Sequence, residues 1–238
     1  DLQEKKKYCI LTKGAFMINI AIDGHVGSGK STLARGLAEK LNFKVFDTGA
    51  IYRGLACAFK NSHYNAVNEE NIKDFLKDLD VKIFFEDKLQ HVVVCNIDYT
   101  PYLRLEEISM LSSQISPYKI LRDKVVMLQR SFAKENNCIM EGRDIATVVL
   151  PNADVKFFIT ASETVRANRR YEQIKDKPNS PSYDEILKDL RERDYKDEHR
   201  DIAPLKPASD SIIIDTSNMN LNETIDYCLK IIKEKVKI

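Results

Sequence analysis

Short apolar runs along this chain alternate with longer stretches in which apolar residues recur every three or four positions. A strand buried on both faces is apolar throughout, whereas a packed helix shows one apolar stripe, so the runs read as strands and the stretches as helices. A strand is predicted over 18–23, and Leu33, Leu37 and Leu41 mark the helix after it. Further strands are predicted over 43–46, 138–140, 155–160 and 211–217. Thr160 and Glu163 have the spacing of a capping box and would open the helix that follows 155–160. Ile225, Leu229 and Ile232 place a closing helix. The alternation predicts an α/β fold, with a five-stranded parallel sheet flanked by helices on both faces.

Residues 61–135 break that rhythm. Ile72, Phe75, Leu76 and Leu79 have helical spacing, and VKIFF and HVVVCNI, separated by EDKLQ, read as a hairpin. A helical stretch interrupted at Pro117 follows, with Leu121, Val125, Leu128 and Phe132 on one face. The organisation expected is a single domain over 17–238, with its core in 17–60 and 118–238 and a lobe inserted at about 61–117. Residues 175–182, KDKPNSPS, carry two prolines and no apolar side chain, and Ser182 and Glu185 form a second capping-box pattern. They read as the tip of a mobile lid spanning about 171–183. Residues 1–16 are expected to be an N-terminal extension and fit a signal peptide poorly.

The turn after the first strand reads Gly24-His25-Val26-Gly27-Ser28-Gly29-Lys30-Ser31-Thr32. This is the spacing of a phosphate-binding loop in its strand–loop–helix setting, so residues 24–32 are the expected ATP site. Glycines let backbone N–H groups converge on an anion, and the helix N-terminus adds its dipole. Lys30 would bridge the β- and γ-phosphates, and the Ser31 hydroxyl would bind Mg²⁺ together with waters and phosphates. The loop alone does not separate phosphoryl transfer from a nucleotide-driven switch or motor.

The formal charge is +1 for 238 residues, 43% of them hydrophobic, which suits a globular domain and argues against a nucleic-acid surface. No apolar run approaches the ~20 residues needed to cross a bilayer. The five cysteines are scattered without a C-x-x-C, which fits a reducing cytoplasm better than a disulfide framework or zinc site. His63, His91 and His199 read as isolated surface residues. The chain is expected to be monomeric.

Three further stretches fall at predicted strand ends. In DTGAIYR, Thr48, Tyr52 and Arg53 could hold a second anion, or could simply start a helix. In EGRD, Arg143 and Asp144 offer a guanidinium fork and a carboxylate, or a structural ion pair. On the helix from about 183, Ile186, Leu190, Arg193, Asp197 and Arg200 lie on one stripe, so the charges should continue a buried face into a cleft. Arg169 and Arg170 share a face of the preceding helix with Arg166, which reads as a solvated surface arginine. Arginines delivered around a flexible loop suit the clamping of a transferring phosphoryl group.

Taken in order, GHVGSGKST, DTGAIYR, SSQ (112–114), EGRDIATVVLP, RANRR and RDYKDEHRDIAPLKPASDSIIIDTS resemble the bacterial cytidylate kinases, within the nucleoside monophosphate kinases. The resemblance runs from about Met17 to the C-terminus and implies ATP-dependent phosphorylation of CMP and dCMP in pyrimidine metabolism. It implies that Thr48, Tyr52, Arg53, Arg143 and Arg200 surround the CMP phosphate, and that Ser113, Arg122 and Asp144 read cytosine. It further implies that Arg193 and Asp197 reach the ribose, that Arg104 closes from the insert, and that Lys30, Arg143, Arg169 and Arg170 serve the transfer itself. The rivals at this point are a kinase of another small acceptor and a switch protein, the latter without an N-K-x-D motif.

Overall fold

The computed structural model describes residues 17–86, 89–178 and 180–237, so the expected extension at 1–16 lies outside the described residues. The chain opens with β1 (Asn19–Gly24), α1 (Lys30–Leu41), β2 (Lys44–Asp47) and α2 (Thr48–Lys60). Residues 61–117 then form α3 (Glu69–Phe75), β3 (Val81–Glu86), β4 (Leu89–Val94), β5 (Ile97–Asp98) and α4 (Glu106–Ile115). After α5 (Lys119–Glu135) come β6 (Cys138–Gly142), β7 (Val155–Thr160), α6 (Glu163–Ile174), α7 (Tyr183–His199), β8 (Ile212–Asp215) and α8 (Leu221–Val236).

The main sheet has the order β2-β6-β1-β7-β8, and every neighbouring pair is parallel. Side chains alternate across it, as a strand's two-residue period requires. Ala21, Phe46, Cys138 and Met140 face α2 and α5, while Ile20, Ile22, Ile139 and Phe157 face α1 and α8. The five predicted strands are therefore all present. The smaller sheet β3-β4-β5 is antiparallel, and its inward side chains Val92 and Val94 join the same cluster as α2. A side chain at Gly54 would place its Cβ 2.4 Å from the Val92 Cγ1, so only glycine lets β4 lie this close to α2.

Several local expectations need correction. α6 is capped by Ser162, whose hydroxyl accepts from the Val165 N–H, and not by Thr160. Thr160 is committed to the sheet, because it pairs with Asp215 and its carbonyl accepts from the Thr216 N–H at 2.9 Å. α3 stops at Phe75, and Leu76 and Leu79 reach the core from the turn beyond it. The hairpin strands run further than their apolar cores suggested, with Glu86 and Leu89 already paired. His91 is not isolated: it stacks on Phe84 at 4.9 Å between ring centroids, and its Nδ1 lies 3.0 Å from the Asp98 carboxylate. The Ser182–Glu185 capping box is formed as expected. Of the cysteines among the described residues, Cys57, Cys138 and Cys228 are buried, Cys95 is exposed, and all four are free.

Candidate active site

In an open parallel sheet, ligands are taken at the carboxyl ends of the strands. Here β1 ends in the glycine loop, β2 in the start of α2, and β6 in residues 141–144. All three border one cleft of about 2050 Å³, which α4, α6 and α7 also line.

The glycine loop is held from several sides. Gly24 has φ +146°, and a Cβ there would sit 1.9 Å from the Ile159 carbonyl oxygen. Gly29, at φ +92°, is the left-handed residue before α1. Lys30 begins α1 and is buried, with its Nζ donating to the His25 carbonyl at 2.6 Å. Burial, reinforced by the Arg143 charge, lowers its pKa to about 7. The Ser31 hydroxyl donates to Glu141 Oε1 at 2.6 Å. The peptide of Val26 is gripped at both ends: its N–H donates to Asp194 Oδ1 at 3.2 Å, and its carbonyl accepts from Arg166 at 3.0 Å. Arg166 and Asp194 are themselves a buried ion pair joining α6 to α7.

The far side of the cleft is built on α2 and β6. Thr48 donates to the Glu141 carbonyl at 2.8 Å. Arg53 pairs with Asp47 at 2.8 Å, and Arg104 approaches the same carboxylate at 3.6 Å. Arg122 and Asp144 form a buried ion pair, with the Arg200 guanidinium 3.4 Å from the other Asp144 oxygen. The Tyr52 ring lies 5.9 Å from the Arg122 guanidinium carbon. Burial pushes the Tyr52 phenol up to about 12, so it stays a neutral hydrogen-bonding group. Arg143 donates to Asp197 at 2.6 Å.

This arrangement provides an anion cradle at one end of a cleft and a buried carboxylate–guanidinium edge at the other. The sequence profile described as cytidylate kinase matches residues 20–234. The chain belongs to the cytidylate kinase family. The cytidylate kinase of Halalkalibacterium halodurans is 40% identical over 219 residues, covering 92% of this chain and 99% of its own. That of Thermotoga neapolitana is also 40% identical over 219 residues, covering 92% and 98%. Cytidylate kinase 1 of Haemophilus influenzae is 36% identical over 214 residues, covering 90% and 93%.

Most of the site residues expected from the family resemblance line the one cleft, but not equally deeply. Val26 to Thr32, Thr48, Tyr52, Arg53, Arg104, Ser113, Arg122, Arg143, Asp144, Arg169, Arg170, Arg193, Asp197 and Arg200 all border it, Arg104 from an exposed position. Gly24 lies beneath the loop, and the His25 ring turns away to Glu198, 2.9 Å distant, on a separate cavity of about 270 Å³. Ser113 is on the exposed rim, its hydroxyl donating to the Ser109 carbonyl at 3.1 Å. Arg169 is tied to the end of β8, donating to the Thr216 carbonyl at 2.6 Å, and Arg170 is exposed. Arg193 is also largely exposed and pairs with Asp189 at 3.0 Å. The buried stripe of α7 instead continues through Asp194, four residues after Leu190.

Arg166 is thus not a solvated surface arginine, being only 4% exposed and bonded to Ala161, Val26 and Asp194. The sequence alone does not mark out Glu141, Asp47 or Asp194. For Asp194 a signal existed, since 186, 190 and 194 keep the spacing of one buried helix face. Asp23, buried beside the loop, accepts from the Ile145 and Ala146 N–H groups at 2.9 and 2.7 Å. Burial outweighs those bonds and raises its carboxyl to about 6.

Proposed function

We propose that this cytidylate kinase transfers the γ-phosphoryl group of ATP to the phosphate of CMP or dCMP, giving ADP and CDP or dCDP. The observation that carries the reading is the buried Arg122–Asp144 pair, backed by Arg200, in the same cleft as the glycine loop. Cytosine presents an exocyclic amine beside ring acceptors, so one carboxylate and one guanidinium match its edge. Uracil exchanges donor for acceptor at that edge and would leave these buried groups unpaired, which a site of this kind rejects strongly. Ser113 would complete the base contact from the rim, and Arg193 and Asp197 would meet the ribose.

An oxygen of the acceptor phosphate forms the new bond to the γ-phosphorus, and the bond from that phosphorus to the bridging oxygen of ADP breaks. The acceptor is already anionic at neutral pH, so no general base is needed. Thr48, Tyr52, Arg53 and Arg200 would hold it, and Arg104 would close over it from the insert. Residues 24–32 would cradle ATP, with Lys30 on its β- and γ-phosphates. Arg143, Arg169 and Arg170 would neutralise charge on the group in flight, which is the main demand of phosphoryl transfer.

The Ser31 hydroxyl and the Glu141 carboxylate place two hard oxygen donors at the loop's mouth. Among the described residues no group of three His, Cys, Asp or Glu could hold a metal alone. That donor set fits Mg²⁺, which takes most of its ligands from water and phosphates. When bound it would supply Lewis-acid neutralisation of the ATP phosphates. The reading places the enzyme in the cytoplasm as a monomer acting on free nucleotides. The free cysteines suit a reducing compartment, and no helix among the described residues is long and apolar enough to cross a membrane.

ADP release with Mg-ATP and CMP, dCMP, UMP, AMP, GMP or no acceptor tests this. Activity confined to CMP and dCMP is the expected result, and activity led by another acceptor would overturn the base assignment. Asp144→Asn supplies a more specific check. Its amide can donate to the uracil carbonyl, so the CMP:UMP ratio of kcat/KM is expected to fall by about 10²-fold. An unchanged ratio would remove Asp144 from base recognition.

A further inference from the structure

β2 is the edge strand of the main sheet, paired with β6 on one side only. At its last residue, Asp47, the outward N–H and carbonyl nevertheless have partners. Both come from one side chain: Gln90 Oε1 accepts from the Asp47 N–H at 2.8 Å, and Gln90 Nε2 donates to the Asp47 carbonyl at 3.1 Å. A single amide thus stands in for a missing neighbouring strand. Gln90 is on β4, where Gln90, Val92 and Val94 share the inward face. An amide at a core position is costly unless its donor and acceptor are both used, and here both are.

What Gln90 fixes is the residue that arranges the start of α2. Asp47 Oδ1 caps the helix by accepting from the Ala50 N–H at 3.0 Å. Its Oδ2 accepts from Arg53 at 2.8 Å. There is little slack: a Cβ added at Gly49 would meet the Arg53 guanidinium at 2.6 Å and Asp47 Oδ1 at 3.2 Å. A shift of the Asp47 backbone therefore moves the Arg53 fork. Burying Val92 against Gly54 anchors β4 to the same helix, so Gln90 acts from a fixed base.

We propose that Gln90 is a positioning residue for the acceptor-phosphate subsite, acting through Asp47 on Arg53. The inference rests on the assignment of Arg53 to the CMP phosphate. It goes beyond that assignment by making the small antiparallel sheet part of the binding machinery. Glutamate would not replace Gln90, because a carboxylate has no donor for the Asp47 carbonyl and would face the Asp47 charge. Leucine keeps much of the volume and loses both bonds.

The test compares CMP with cytidine, which lacks the phosphate. Steady-state kinetics with Gln90→Leu are expected to show KM for CMP raised about tenfold, the size of one lost charge-assisted contact. KM for ATP and the inhibition constant of cytidine should stay within about twofold of wild type. Gln90→Glu should show the same pattern, and serves alone if the leucine variant does not fold. Equal weakening of CMP and cytidine would mean a general loss of structure and overturn the proposal, as would an unchanged KM for CMP in either variant. Preference of the wild type for another monophosphate would overturn the base reading instead. The same comparison, made with that monophosphate and its nucleoside, would still decide the role of Gln90.

Discussion

Turnover is expected to fall by about 10²–10³-fold with every acceptor when Lys30 is replaced by methionine, the size of one lost preorganised donor at a developing charge. The buried ammonium donates to the His25 carbonyl, so it is already aimed along the loop that would hold the phosphates. Holding it there is unfavourable without an anion, since burial and then the Arg143 charge lower it to about 7. ATP phosphates would reverse that balance, and binding should be coupled to proton uptake. At pH 8 uptake should approach one proton per site, and at pH 6 it should be small, because the amine is then already charged. Calorimetry in two buffers of different ionisation enthalpy measures this directly. Lys30→Met should abolish the uptake as well as the turnover.

The same shift has a consequence for stability, with the opposite sign from an ordinary ion pair. Between about 7 and the unfolded value of 10.5, the folded chain binds fewer protons at Lys30 than the unfolded chain does. The penalty of burying the ammonium is therefore fully present below about pH 7 and fades as pH rises towards 10.5. Lys30→Met should raise Tm at pH 6 while removing activity, a trade of function against stability. A lower Tm for the variant at pH 6 would contradict the assignment.

The second large effect concerns Asp194. Removing this carboxylate would leave the Arg166 guanidinium, 4% exposed, without its counter-charge. Breaking one side of a buried pair costs about 3–5 kcal/mol. For a domain of this size that is a fall in Tm on the order of 10 °C. Asp194→Ala should also raise KM for ATP, because the Val26 N–H loses its acceptor and the glycine loop its hold on α7. Replacing both partners by Arg166→Met and Asp194→Leu should recover most of the Tm and none of the KM. A Tm change under about 2 °C for Asp194→Ala would show that the pair carries little of the packing.

These two residues mark where sequence reasoning succeeds and where it stops. The central strands β1, β6 and β7 are legible because they are apolar runs covered on both faces, and the glycine loop because backbone geometry demands glycine there. Arg166 is not legible, because its partner lies 28 residues away on the next helix and nothing local says that the guanidinium is covered. Thr160 was assigned a cap by spacing, but its carbonyl had a stronger claimant in Thr216. Asp194 keeps the helical period of a buried face, but a stripe running from Leu190 to Arg193 and Asp197 fits the same period, and the spacing alone does not choose between them. Gln90 is hidden for a different reason: it falls in EDKLQ, which reads as the connection of the hairpin, whereas the strand already begins at Leu89 and turns the amide inward. In each case the missing information was the identity of a distant group that satisfies a buried polar atom.

The apolar cluster that runs from the main sheet through α2 into residues 61–117 has a consequence for engineering. Ile72, Val92, Tyr99, Leu103, Ile108 and Ile115 pack in the same continuous cluster as Phe46, Ile51 and Leu55. Excising 61–117 to obtain a minimal kinase scaffold would uncover the outward flank of α2 and create an apolar patch prone to self-association. A shortened chain would need polar substitutions along α2 to remain soluble, and Gly54, which makes room for Val92 here, would lose the contact that calls for glycine. Residues 61–117 thus supply one wall of the core that α2 completes.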